Sequence, residues 1–223
     1  MNSGLSISAE RIVIADDHPL FRTALRGAVE RLLDRVTIIE AESLASLQAV
    51  METGPAPDLL LLDLRMPGVQ GFSGLVFMRA HYPDVPIVVV SAQDEPYIVR
   101  RTLSHGAAGF IPKSETDRGI RQALEAVLSG DLWLPEGMDS SAAGLGREEA
   151  ETAAGIASLT PQQFRVMSML SAGLLNKQIA WELDVSEATI KAHVTAIFRK
   201  LGVQNRTQAV LVAGRLAVDP VAH

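Results

Sequence analysis

The order of apolar and polar positions along this chain changes character once. Between residues 11 and 128, short apolar runs alternate with segments of helical period, the pattern of βαβ units wound around a parallel sheet. Five strands are predicted, near Arg11 to Ala15, Val36 to Ala41, Asp58 to Leu62, Ile87 to Ser91 and Gly109 to Ile111. Five helices are predicted between and after them, near 19–33, 43–53, 72–81, 95–104 and 115–128. From Leu159 onward the pattern is purely helical, with four helices near 161–171, 176–183, 187–201 and 206–216. Thr160-Pro161-Gln162-Gln163 opens the first of these with an N-cap, a first-turn proline and an amide at the third helical position, which is a capping box. The stretch between the two patterns, 129–157, is rich in Gly, Ser, Ala and acids, loses periodicity after Pro135 and reads as a linker. The expected fold class is α/β, a doubly wound five-stranded parallel sheet over residues 10–130. A linker over 131–157 and a small all-α four-helix domain over 158–218 follow.

Composition narrows the function classes. The 223 residues are 48% apolar and 21% charged, which excludes a wholly disordered or fibrous chain. Apolar runs such as Leu59–Leu62 and Ile87–Val90 fall far short of the roughly 20 residues of a membrane span, so no membrane partner is expected. No basic stretch followed by an apolar core opens the chain, and no cysteine is present. Disulfides, thiolate metal sites and thiol nucleophiles are thereby excluded, and a cytoplasmic protein is expected. The net charge of −6 hides an asymmetry: residues 1–157 carry 13 Lys+Arg against 22 Asp+Glu, whereas residues 158–223 carry 7 against 4. A basic small unit beside an acidic larger one points to nucleic acid as partner of the former.

In a doubly wound sheet the site lies outside the carboxyl ends of the strands. Asp16 and Asp17 stand at the end of the first predicted strand, Asp63 at the third, Ser91 at the fourth, and Lys113 follows the fifth. Carboxylates crowded at one place repel one another, and a hard divalent cation with oxygen ligands relieves that repulsion, Mg²⁺ being the natural candidate. The same ion neutralises an incoming phosphoryl group, while Lys113 offers a point charge and Ser91 a hydroxyl to its other oxygens. Asp63 is then the nucleophile, forming an acyl phosphate. Taken one by one these residues have plainer readings: paired aspartates form turns and caps, and a lone lysine is a solvated side chain. His18 reads as a turn or helix-start residue without a ligand role.

The segments IVIADDHP, LLLLDLRMPG, VVVSA and GFIPKS, in that order and spacing, resemble the receiver domain of two-component response regulators, with its flavodoxin-like fold, over roughly residues 10–130. The resemblance implies that Asp63 is the phosphoacceptor, that Asp16 and Asp17 are the acidic pair, and that Mg²⁺ is held by Asp16, Asp17, Asp63 and the backbone carbonyl of Arg65, with Asp17 a direct ligand. It makes Ser91 and Lys113 the switch hydroxyl and lysine. Phe110 stands where many receivers have tyrosine, so a switch through ring rotation remains and one through a phenol hydroxyl does not. Pro112 precedes Lys113, whereas many receivers carry a proline after the lysine.

In the second unit, Asn176 to Leu183, the turn Asp184-Val185-Ser186 and Glu187 to Leu201 have the length and turn chemistry of a helix-turn-helix. Ile190, Val194, Ile197, Phe198 and Leu201 fall on one helical face and are expected to pack inward. Lys191, Ala192, Thr195 and Arg199 share the opposite side and suit a major groove. Asn176, Lys177 and Lys200 are assigned to phosphates, and His193 to the backbone. The run from Leu159 to Val210, with NKQIAWEL, VSEATIKAHV and RKLGVQNRTQAV, resembles the LuxR-type helix-turn-helix, which places its dimer contact on the last helix, about Arg206 to Leu216. Gln163 and Arg165 stand where that family commonly carries glutamates.

The two resemblances together imply a response regulator of the NarL/FixJ type, a transcription factor and not an enzyme. A histidine kinase phosphorylates Asp63, Ser91 and Lys113 are drawn inward, Phe110 repacks, and the face of the fourth helix, fifth strand and fifth helix shifts. The output is then released or dimerises on double-stranded DNA. Three other classes fit the residues less well: a phosphatase of the haloacid-dehalogenase kind, a ligand-gated regulator and a purely helical dimerisation module. The first needs an acid where Arg65 stands. The second needs an aromatic, apolar pocket. The third leaves the basic excess of the C-terminal unit without a role.

Overall fold

The structure is a computed structural model and describes residues 9–138 and 144–218. Five strands, β1 (Arg11–Ala15), β2 (Thr37–Ala41), β3 (Leu59–Asp63), β4 (Ile87–Ser91) and β5 (Gly109–Pro112), form one parallel sheet in the order β2-β1-β3-β4-β5. The helices α1 (Pro19–Leu32), α2 (Leu44–Glu52), α3 (Ser73–His81), α4 (Pro96–Ser104) and α5 (Asp117–Leu128) alternate with them as expected.

The apolar strands LLLLD and IVVVS are buried along their whole length, because helices cover both faces of the sheet. Alternate residues nevertheless go to different cores. Ile12, Ile14, Leu59, Leu61, Val88, Val90 and Ile111 pack with Leu25 and Val29 of α1 and Ile120 and Leu124 of α5. Val13, Leu60, Leu62, Ile87, Val89 and Phe110 pack on the other side with α2, α3 and α4. All peptide bonds are trans among the described residues, that of Ile111-Pro112 included.

The C-terminal unit contains α7 (Pro161–Ser171), α8 (Asn176–Glu182), α9 (Glu187–Leu201) and α10 (Arg206–Gly214). The capping box forms, with Gln163 N donating to Thr160 Oγ1 and Thr160 N to Gln163 Oε1. The stretch read as a linker is more ordered than expected. Trp133 pairs beside Gly109 at the outer edge of β5, and an additional helix, α6 (Arg147–Ala157), precedes the four. Glu148 and Glu149 sit in its first turn, where carboxylates complement the helix dipole, and an Arg147–Glu151 pair lies along its side. Gly155 is packed so near α9 that a Cβ there would stand 3.0 Å from Leu201 Cδ2 and 3.2 Å from the Lys200 carbonyl.

The second unit packs on the α2–α3–α4 side of the sheet, and its apolar residues join the core on that side. Phe77 of α3 stacks on Phe164 of α7 with centroids 4.2 Å apart and planes 6° from parallel. Ser168 Oγ donates to the Gly68 carbonyl at 2.6 Å, and Arg165 Nε donates to Gln48 Oε1 at 3.2 Å.

Candidate functional site

The strand register brings the acidic residues together. β3 lies between β1 and β4, with Ala15 opposite Leu62 and Asp63 opposite Val90, and Ser91 is opposite Pro112. Asp16 and Asp17 follow β1 directly, so both open onto the end of β3. Asp16, Asp63 and Ser91 are all buried. Lys113 crosses the pocket: Nζ lies 2.7 Å from Asp16 Oδ2 and 2.8 Å from Asp63 Oδ2. Its own amide donates to the Ser91 carbonyl at 2.7 Å, which ties β5 to β4 at the pocket floor. Arg65 N donates to Asp63 Oδ1 at 3.1 Å, and Ser91 Oγ accepts from Gln93 N at 3.1 Å. Phe110 is fully buried on the side of the sheet that meets the second unit.

The electrostatics follow from that geometry. Burial pushes the Asp63 carboxyl above the ordinary aspartate range, with the neighbouring Asp16 charge adding to the effect and Lys113 opposing it. Burial alone would lower the Lys113 ammonium, but its bonds to Asp16 and Asp63 outweigh that and raise it. The lysine therefore holds the pocket together as a cation between two anions.

His18 was read as a helix-start residue, and it is the N-cap of α1. It is also a member of the acidic cluster. Its amide donates to Asp16 Oδ1 at 2.8 Å, and Nδ1 lies 2.7 Å from Asp17 Oδ1. One ligand atom from each of Asp16, Asp17, His18 and Asp63 falls within 4.8 Å of the others. The signal for this was its place directly after the aspartate pair, where a turn closed by Asp16 folds it back. A donor set of three carboxylates suits a hard divalent cation, so the residues fit Mg²⁺.

On the second unit, Ile190 and Ile197 are buried and Val194, Phe198 and Leu201 half-buried, as the helical phase of α9 requires. Lys177, Lys191, Ala192, Thr195 and Arg199 are exposed, and Asn176 and His193 are partly so. Lys200, assigned to a phosphate, is engaged within the chain. Its Nζ donates to the Ser158 carbonyl at 2.6 Å and to Gln163 Oε1 at 2.7 Å, so it ties α9 back to the start of α7. Gln163 thus takes up a cation as well as capping its helix.

An acidic pocket at the strand ends of a doubly wound sheet, joined to a helix-turn-helix with a bare cationic face, defines a receiver that governs a DNA-binding output. Residues 12–125 match the response regulator receiver domain, and residues 157–213 match the bacterial regulatory proteins of the luxR family. The chain belongs to the response regulators of the NarL/FixJ type, which regulate transcription. It is 40% identical over 209 residues to the glycerol metabolism activator of Pseudomonas putida, covering 92% of this chain and 95% of that protein. It is 31% identical over 201 residues to the nitrate/nitrite response regulator protein NarL of Escherichia coli, covering 90% and 93%. Among solved structures, the RcsB response regulator of Salmonella typhimurium superposes with a TM-score of 0.53 at 26% identity, covering 91% of this chain and 96% of that one. Proteins of this family are generally not enzymes. Among the described residues no helix is long and apolar enough to cross a membrane.

Proposed function

We propose that Asp63 accepts a phosphoryl group from a histidine kinase and that this event controls how α9 and α10 engage double-stranded DNA, the whole taking place in the cytoplasm. The observation that carries the reading is Lys113 bridging Asp16 and Asp63 in a buried pocket that opens at the strand ends. The Asp63 carboxylate attacks phosphorus, the P–N bond of the donor phosphohistidine breaks, and the electron pair leaves on the imidazole nitrogen. Arg65 N holds one carboxylate oxygen in place during the attack. Lys113 is already beside the other and pairs with a phosphoryl oxygen once the group has arrived. The Ser91 hydroxyl stands at the neighbouring strand end to donate a hydrogen bond to a phosphoryl oxygen, and Phe110 repacks beneath it. Asp17, Asp63 and the Arg65 carbonyl would hold Mg²⁺, with Asp16 behind them. The ion, when bound, neutralises charge on the phosphoryl oxygens.

On the output side, Lys191, Ala192, Thr195 and Arg199 enter the major groove. Asn176, Lys177 and His193 meet the sugar-phosphate backbone, and α10 makes the contact of a homodimer on half-sites about one helical turn apart. The test is the intact mass after incubation with Mg²⁺ and phosphoramidate. A single phosphoryl adduct is expected on the natural chain and none on Asp63→Asn. An adduct that persists on the variant would remove Asp63 from its role.

A further inference from the structure

After α10 the chain runs along the receiver, and four successive carbonyls, those of Arg215, Leu216, Ala217 and Val218, each accept a hydrogen bond from it. Arg101 Nη2 donates to Arg215 O at 2.8 Å, and Phe72 N donates to Leu216 O at 2.8 Å. Arg101 Nη1 donates to Ala217 O at 3.1 Å, and the Tyr97 hydroxyl donates to Val218 O at 3.2 Å. Leu216 and Val218 are buried. Arg101 is itself fixed on three sides: its guanidinium lies 4.5 Å from the Phe72 ring centroid, and Nε and Nη2 both lie 2.8 Å from Glu149 Oε1 of α6. Gly71 completes the seat. Its φ is +56°, and a Cβ there would collide with the Leu216 carbonyl oxygen and stand 2.7 Å from Val218 N and 2.8 Å from Ala217 Cα. A side chain is excluded both by conformation and by the segment lying on it.

We propose that Gly71, Phe72, Tyr97 and Arg101 form a docking site for the chain's own residues 215–218, and that the site couples release of the output unit to the state of Asp63. The coupling path is covalent and short. Gly71 and Phe72 end the loop that begins at Asp63, and the same loop gives the Gly68 carbonyl to Ser168. Asp63 anchors the start of that loop through the Arg65 amide, so a phosphoryl group on the carboxylate changes what the loop is bonded to at one end while the output segment is bonded at the other. The docked form leaves Lys191, Ala192, Thr195 and Arg199 exposed. Docking therefore acts by holding the end of α10, the helix assigned to the dimer, and not by covering the reading residues. This relay runs through the β3–α3 loop and α4, whereas α5 of the expected switch face lies with α1 on the other side of the sheet.

The proposal rests on Asp63 as phosphoacceptor, and the test separates the two. The chain has no cysteine, so Asp84→Cys and Thr207→Cys, both at exposed positions, give a unique dye pair for an inter-domain distance by energy transfer in the full chain. Gly71→Ala and Arg101→Met are each expected to lengthen and broaden that distance, and Gly214→Ala, where a Cβ meets nothing within 4 Å, to leave it unchanged. Mg²⁺ with beryllium fluoride is expected to move the parent in the same direction. By reciprocity, the fluoride concentration for half occupancy, read by fluorine NMR, should fall about fivefold or more in both opened variants. If neither variant changes the distance, this segment does not hold the units together. If both open but the occupied parent keeps its distance, docking and the state of Asp63 are independent and the coupling is overturned with the phosphoacceptor intact. If the parent takes up neither beryllium fluoride nor phosphoryl group, the phosphoacceptor reading falls and the coupling with it.

Discussion

In the receiver pocket, Asp16, Asp63 and Lys113 come from three separate strand ends, are largely withdrawn from water and spend their charges on one another. On the output unit, Lys191, Thr195 and Arg199 come from one helix and present their charges and hydroxyl to solvent. The pocket is a balanced set of buried charges poised for one more anion, so each member affects the stability of the others. The reading face is a set of independent side chains on a helix that its opposite, apolar face holds in place. Substitutions in the first should therefore register in folding as well as in phosphorylation, and substitutions in the second in binding alone.

The largest expected effect comes from Lys113→Met. It leaves Asp16 and Asp63 buried beside each other without their cation, and removing one partner of such a buried set costs about 3 kcal/mol. Urea unfolding should show the loss, and millimolar Mg²⁺ should restore part of it, because the ion takes over the neutralisation. A variant as stable as the parent would mean that the pocket carboxylates do not depend on Lys113.

Next in size are Lys191→Ala and Arg199→Ala. Each should weaken binding to duplex DNA about tenfold and leave the unfolding midpoint where it was. A residue on a phosphate should also reduce the salt slope by about one, whereas one on a base edge should relax sequence preference. Lys200→Ala sharpens the contrast from within the same helix. Its bonds to Ser158 and Gln163 predict a stability loss of about 1 kcal/mol. DNA binding that falls while stability holds would return Lys200 to its assigned phosphate contact.

How far these regions were legible in the sequence follows from how each is built. Helical period placed the inward and outward residues of α9 correctly, because a two-sided helix writes its burial into its spacing. It did not reveal the bonds of Lys200 to the Ser158 carbonyl and Gln163, since phase alone does not show that a flanking lysine will find an acceptor at the start of another helix. The pocket was legible through topology: once the strands were recognised, their ends had to converge. Which face each strand residue serves was not legible, since LLLLD and IVVVS are apolar on both sides and carry no alternation. His18 joined the cluster through a turn that residue type alone does not announce. The helix α6 was lost in a stretch rich in small residues. Its buried positions are Thr152, Gly155 and Ile156, too sparse an apolar stripe to stand out, and α3 and α9 supply the packing that orders it.

The smallest expected effect lies at the seam between the regions, and it tests whether a buried charge set like that of the pocket also governs the packing of the two units. His105 is buried, and its Nε2 lies 2.8 Å from Glu149 Oε1, the oxygen that Arg101 also binds. Burial holds its imidazole below the ordinary value of 6.5, against the pull of Glu149 and with some help from Arg101. The folded chain thus keeps His105 neutral where the unfolded chain protonates. Below about pH 6.5 the unfolded state binds more protons, so the contribution of this residue to stability declines as pH falls through that range and is retained above it. One proton over one pH unit amounts to about 1.4 kcal/mol at most. His105→Gln keeps a donor for Glu149 and cannot titrate, so its unfolding midpoint should fall less than that of the parent between pH 7.5 and 5.5. Parallel pH profiles would show that His105 accepts its proton without cost, and that the seam, unlike the pocket, is not electrostatically poised.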